Sequence, residues 1–209
     1  MMGDSNLMLK VCGMKHPDNI EGLVKLEPDF MGFIFYPESP RYANEIDAEM
    51  MASIPAVIRK TGVFVNAELS DILALVEKYQ LDAIQLHGDE SLDLVKELKQ
   101  RGLTVIKVFR VQDKLPEAII DFDENVDFFL FDTKSKAYGG TGQHFDWSIL
   151  SAYDYQTPYF LSGGVELKDI ETIHALALPK LVGVDVNSKF ELEPGLKDLA
   201  RVQQLKEQL

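Results

Sequence analysis

Short apolar runs recur along the chain, and the stretch after each one is helical or loop-like in its spacing. The first run, residues 7–13, reads LMLKVCG. Period-2 alternation places Met8, Lys10 and Cys12 on one face and Leu7, Leu9 and Val11 on the other, and Gly13 breaks the run. Further strands are predicted at residues 30–35, 60–65, 83–87, 104–109, 128–132, 159–162 and 181–186. Between them, residues 17–26 carry Ile20, Leu23 and Val24 at helical spacing, with Pro17 suited to a first turn. A modest helix follows at 46–54, then one in which Ser70 caps DILALVEKY. The next starts at Ser91 and stops at Gly102. Shorter helices are expected at 114–120 and 146–150, one carries Leu167, Ile170, Ile173 and Ala177, and the last spans 196–205. No linker, repeat or low-complexity tract divides the chain. Eight strand–helix units predict an α/β fold, a single-domain (β/α)8 TIM barrel over residues 1–209, with an open doubly wound sheet as the runner-up.

Composition narrows the class. With 209 residues and 46% hydrophobic content, the chain can bury a substantial core. A formal net charge of -13 argues against a nucleic-acid or anionic-membrane surface, which needs clustered Lys and Arg. One cysteine excludes an internal disulfide and fits a reducing cytoplasm. The start, MMGDSNLMLK, lacks the pattern of a signal peptide, and no run approaches the ~18 apolar residues of a membrane span. A cytoplasmic protein is expected. His16, His87, His144 and His174 are scattered and show no metal spacing with Cys12, so no metal site is expected. Monomer and homodimer both stay open.

Strands covered on both faces should be apolar throughout, so polar residues inside them need a reason. Lys10 and Cys12, Gln85 and His87, Lys107, Asp132 (in phase with Phe128 and Leu130) and Asp185 (in phase with Leu181 and Gly183) are assigned to the barrel interior and its carboxyl-terminal mouth. A neutral structural network explains the lysines equally well, with Lys10 and Lys107 pairing Asp185 or Asp132. Cys12, His87, Asp132 and Asp185 fall at or beside strand ends, where barrel enzymes keep catalytic groups. The competing readings are a core cysteine, a packing histidine and a turn-capping Asp132.

Two features suit an anionic ligand. Ser162-Gly163-Gly164 closes the seventh strand before a helix, and Asn187-Ser188 follows the eighth. The loops after those strands are the usual phosphate site of this architecture, and glycines let backbone N–H groups face an anion, although a Gly-Gly pair can also be only a tight turn. In the loop 36–42, Arg41 lies between Pro40 and Tyr42, either an ordinary surface arginine or a guanidinium that holds a carboxylate bidentately.

KVCG at 10–13, GFIFYPESPRY at 32–42, GVFVN at 62–66, QLHGDE at 85–90, FDTKSKAYGGTGQHFDW at 131–147, LSGGV at 161–165 and PGLKD at 194–198 together closely resemble the phosphoribosylanthranilate isomerase family of tryptophan biosynthesis. Seven blocks in order, across nearly the whole chain, make the resemblance specific. It implies an Amadori rearrangement of N-(5-phosphoribosyl)anthranilate to the carboxyphenylamino-deoxyribulose phosphate, with this small molecule as the binding partner and without cofactor or metal. By the same resemblance, Cys12 matches the general base, Asp132 the general acid and Arg41 the arginine on the anthranilate carboxylate. The backbone of Gly163, Gly164, Asn187 and Ser188 matches the phosphate site, and His87 and Asp185 line the pocket. The chain departs from the family at Gln143-His144, where Lys-Thr is common. It departs again at Asn187-Ser188-Lys189-Phe190-Glu191, where Ser-Gly-Val-Glu is frequent after the eighth strand.

The residue types suit that chemistry. Opening the ribose ring needs a proton on the ring oxygen, from an Asp132 held protonated by its apolar strand. A thiolate at Cys12, favoured by Lys10 or by the geometry of the bound state, then removes the proton from the second sugar carbon. The related ProFAR isomerase of histidine biosynthesis performs the same rearrangement with two aspartates, and Cys12 in the place of one speaks against it. A non-catalytic phosphosugar-binding barrel is the reading from a different class.

Overall fold

The computed structural model describes residues 7–44, 46–133 and 145–209. Among these, parallel strands β1 (Met8–Val11), β2 (Phe30–Ile34), β3 (Arg59–Phe64), β4 (Ala83–Leu86), β5 (Thr104–Val111), β6 (Phe128–Thr133), β7 (Tyr159–Leu161) and β8 (Leu181–Val186) pair in sequence order. The sheet closes where β1 meets β8, from Met8 opposite Gly183 to Val11 opposite Val186. Helices α1 (Pro17–Val24), α2 (Ala48–Ser53), α3 (Leu69–Tyr79), α4 (Leu92–Gln100), α5 (Ile119–Phe122), α6 (Ile170–Leu176) and α7 (Leu199–Lys206) lie in the connections. This is the expected (β/α)8 barrel, and its closure removes the open-sheet alternative.

Strand alternation sorts the core into two compartments. Outward residues such as Leu9, Val11, Val105, Phe129, Phe131, Val184 and Val186 pack on helix residues including Ile20, Leu23, Ile72, Val95 and Ile173. Inside the barrel, Phe30, Ala83, Ile106, Val108, Leu130 and Phe160 form a separate plug, joined by Met8, Phe128 and Val182. Phe30 and Phe128 each meet the Phe160 ring edge-on at 5.3 Å. Each such aromatic contributes roughly 1.5–3 kcal/mol by leaving water. Gly183 makes room for this plug, since a Cβ there would lie 2.7 Å from the Phe160 ring. The plug fills the lower barrel and leaves the carboxyl-terminal half to polar side chains.

Several expectations shift. Lys107 does not face the interior. Its register partners Leu86 and Phe129 both pack outside, and its ammonium pairs with Glu90 Oε2 at 2.7 Å and Gly88 O at 2.7 Å. The inward phase of β5 is Ile106 and Val108. Leu181 also packs outside, because a register irregularity against β7 turns Val182 inward and resets the phase before Asp185. Helix α3 begins at Leu69 with Glu68 at its N-cap, so Ser70 lies inside its first turn. The helix expected at 114–120 forms later, as α5. The final helix starts at Leu199 under an Asp198 cap, because residues before it make an antiparallel hairpin, β9 (Glu191–Glu193) with β10 (Leu196–Lys197). Ser91 caps α4 and Pro17 opens α1, as the spacing predicts. The glycine-rich stretch 138–142 and Gln143-His144 lie outside the described residues.

Candidate active site

Register explains the first cluster. Lys10 of β1 stands directly opposite Asp185 of β8, so both side chains enter the barrel at one height. Lys10 Nζ lies 2.6 Å from Asp185 Oδ1, and Ser162 Oγ donates to Asp185 Oδ2 at 3.1 Å. Lys10 is fully buried, where an unpaired charge would cost several kcal/mol. Burial alone would lower its pKa, but Asp185 and Cys12 outweigh that and raise it, so Lys10 stays an ammonium.

Cys12 sits two residues further along the same face, at the barrel mouth, and is also buried. Gly32 on the neighbouring strand leaves it room, because a Cβ there would come 2.8 Å from Sγ. Burial pushes the thiol pKa up, with Asp185 adding to it, against downward pulls from Lys10 and Lys197. Of the two sources expected for a thiolate, Lys10 alone does not supply it: desolvation wins, and Cys12 rests as a thiol.

Across the mouth, β4 and β6 supply a second cluster. Gln85 Nε2 lies 3.1 Å from His87 Nδ1, and His87 Nε2 lies 3.6 Å from Asp132 Oδ2. Asp132 Oδ1 accepts from the Thr133 N–H at 2.8 Å, which fixes the carboxyl at the strand end. That local bond is the capping role weighed for Asp132, and it leaves the carboxyl lining the pocket. Thr133 Oγ1 in turn donates to Gly163 O at 3.1 Å, tying the sixth strand end to the glycine pair.

The glycine pair has a conformational reason. Gly163 and Gly164 adopt φ of 86° and 93°, and a Cβ on Gly163 would lie 2.4 Å from Thr133 Oγ1 and 3.0 Å from Asp132 Oδ1. Ser188 and Lys189 from the loop after β8 line the same wall. Lys189 Nζ pairs with Glu166 Oε1 at 3.1 Å, joining the loops after β7 and β8.

Arg41 is not a free surface arginine. Its Nε donates to Glu191 Oε1 at 2.9 Å and its Nη2 to Glu191 Oε2 at 2.6 Å. Glu191 also accepts from Lys197 Nζ at 2.6 Å and from the Gly195 N–H at 3.0 Å. Burial would raise the Glu191 pKa, but Arg41 and Lys197 bring it below the usual carboxylate range. Lys197 completes the network by donating to Asn187 Oδ1 at 2.7 Å. Gly13 allows the approach, since a Cβ there would meet both Arg41 Cδ and Asn187 Oδ1 at 2.8 Å.

A mouth pocket of about 850 Å³, counting its open upper part, is lined by Cys12, Arg41, His87, Asp132, Gly163, Gly164, Asp185, Asn187 and Ser188. Residues chosen from separate stretches of sequence thus line one pocket. Sequence reasoning missed Glu191 and Lys189 as parts of the site, did not see that Ser162 donates to Asp185, and assigned no role to Lys197. The PGLKD block was the one signal for Lys197, and only the hairpin explains how it reaches the mouth. The geometry offers a thiol, a carboxyl group and an amide-lined loop around a space closed below by a buried ion pair, a set suited to proton transfer on an anionic ligand.

Comparison with known proteins agrees with that arrangement. Residues 9–208 match the family model described as N-(5'phosphoribosyl)anthranilate (PRA) isomerase. The N-(5'-phosphoribosyl)anthranilate isomerase of Parabacteroides distasonis is 40% identical over 206 residues, covering 97% of this chain and 93% of the relative. The crystal structure of phosphoribosyl anthranilate isomerase from Thermotoga maritima superposes with a TM-score of 0.86 at 32% identity, covering 97% of this chain and 98% of that one. A phosphoribosyl anthranilate isomerase structure in complex with reduced 1-(o-carboxyphenylamino)-1-deoxyribulose 5-phosphate superposes with a TM-score of 0.82 at 30% identity, covering 97% of both chains. Matched from β1 to α7, the chain belongs to the PRA isomerase family.

Proposed function

We propose that this chain isomerises N-(5-phosphoribosyl)anthranilate to 1-(2-carboxyphenylamino)-1-deoxyribulose 5-phosphate, an Amadori rearrangement of tryptophan biosynthesis. The observation that carries the reading is the placement of Cys12 and Asp132 at the ends of β1 and β6, lining one pocket with the Gly163-Gly164 loop. Asp132 gives a proton to the ribose ring oxygen, the bond from that oxygen to the first sugar carbon breaks, and a protonated Schiff base forms. Cys12 takes the proton from the second carbon, and the electron pair of the broken C–H bond moves toward the iminium, giving the neutral enolamine. Tautomerisation to the ketone completes the rearrangement with no atom gained or lost. Resting as a thiol, Cys12 first releases its proton to water in the open pocket, once the iminium adds its positive charge to those of Lys10 and Lys197, the two groups that already pull its pKa down, and the thiolate then acts as the base.

The remaining residues hold the substrate. Arg41 carries five N–H groups, of which the Glu191 pair uses two, and the others serve the anthranilate carboxylate. Backbone amides of Gly163, Gly164, Asn187 and Ser188 take the phosphate, and His87 and Asp185 support the acid and the base ends of the pocket. No helix among the described residues is long and apolar enough to cross a membrane. The test is direct: purified protein given freshly made phosphoribosylanthranilate should remove its fluorescence and yield the ribulose product by chromatography. Fluorescence decay no faster than the spontaneous rate would end the proposal.

A further inference from the structure

We propose that Lys189 is a side-chain ligand of the substrate phosphate, held in reserve by Glu166. The inference rests on the phosphate end of the pocket being the one assigned above. Two described lining residues carry a fixed positive charge, Arg41 and Lys189. Arg41 is committed on one edge to Glu191, whereas Lys189 stands with Ser188, Gly163 and Gly164. In a chain of net charge -13, a phosphate ester dianion gains from a local cation that the backbone amides alone do not supply. Sequence offers the same hint, since Lys189 stands where a glycine is frequent in the resembling family.

Glu166 fixes where that cation waits. It directly follows Gly163-Gly164-Val165 on the loop after β7, and its Oε1 lies 3.1 Å from Lys189 Nζ. The lysine is about one third exposed, so its ammonium can turn without a desolvation penalty. The Lys189 hydrogen bond is the main reason Glu166 titrates below the usual carboxylate range, with Lys168, whose Nζ lies 3.6 Å from the same oxygen, adding to it. A phosphate dianion carries twice the charge of the Glu166 carboxylate and draws the ammonium toward the glycine amides. Glu166 thus acts as a counter-anion whose removal should favour the ligand.

Opposite signs in two variants test this. Inorganic phosphate is titrated into the full-length protein, read by calorimetry and by amide NMR shifts at Gly163 and Gly164. Lys189→Met should weaken phosphate binding about tenfold, the scale of one charged hydrogen bond, and raise KM more than it lowers kcat, with Lys189→Arg restoring most of both. Glu166→Gln, whose amide oxygen can still cap the following turn, should tighten phosphate binding several-fold. If both variants weaken binding alike, or neither changes it, Lys189 is only a clasp between loops and the inference is overturned. If the wild-type protein itself shows no phosphate-dependent shift at Gly163 and Gly164, the assignment of the phosphate end falls, and this inference with it. Circular dichroism and thermal midpoints confirm that each variant is folded.

Discussion

Lys10 Nζ lies 2.6 Å from Asp185 Oδ1 at facing positions of β1 and β8, two residues below the Cys12 thiol. The pair is therefore both a structural lock and part of the field on the thiol. Lys10 pulls the thiol pKa down and Asp185 pushes it up, so their separate removal has opposite effects. Lys10→Met should raise the thiol pKa further and slow iodoacetamide alkylation at every pH below the new value. It should also destabilise the fold by ~3–5 kcal/mol through an unpaired buried carboxylate, and the double variant with Asp185→Asn should recover much of that loss. An alkylation profile identical to wild type would show that Lys10 does not tune Cys12.

Alkaline pH should weaken the fold. Burial raises the pKa values of Cys12, Tyr153 and Tyr159, and Lys10 is raised by Asp185 and Cys12 despite its own burial. In each case the unfolded chain loses the proton first, so the folded state binds more protons above about pH 8.5, where an ordinary thiol titrates, and again above about 10 for tyrosine. Stability then falls as pH rises through that window, because these four groups act against one, Lys197, whose pKa burial lowers. Urea unfolding between roughly pH 8 and 10.5 should show a declining midpoint, and a flat or rising one would contradict the burial of these groups.

Glu191 should behave as a positioning residue for Arg41. Glu191→Gln keeps the volume but weakens the hold on both Arg41 and Lys197. The expected result is a KM raised about tenfold with a smaller fall in kcat, the scale of a lost charged hydrogen bond. Because the folded pKa of Glu191 lies below its unfolded value, its contribution to stability is present above about pH 4.3 and is lost as pH falls through the folded value. The variant should lose that part of the acid limb of the stability profile. Unchanged KM together with an unchanged acid limb would leave Glu191 without either role.

The barrel and most of the mouth were legible because strand alternation and strand ends are local signals. Lys10, Cys12, Gln85 and Asp132 could be assigned to the interior from phase alone. Phase failed at Lys107, where the strand runs on to Val111 and the ammonium finds Glu90 on the outer side. It failed again at Leu181, since an irregularity in pairing has no period to reveal it. Arg41 was found through its motif, but its partner Glu191 lies 150 positions away, in a hairpin whose second strand the spacing reads as the start of the last helix. The resting state of Cys12 depended on burial outweighing a lysine, a balance that spacing does not encode.

Turnover of phosphoribosylanthranilate by Cys12→Ala and Asp132→Asn tests the proposed chemistry most directly, because both groups line the pocket and each is assigned one proton transfer. Each variant should lose at least ~100-fold in kcat, the usual scale for a general acid or base, while inorganic phosphate still binds at Gly163 and Gly164. Near wild-type turnover in both variants would contradict the assignment of Cys12 as base and Asp132 as acid.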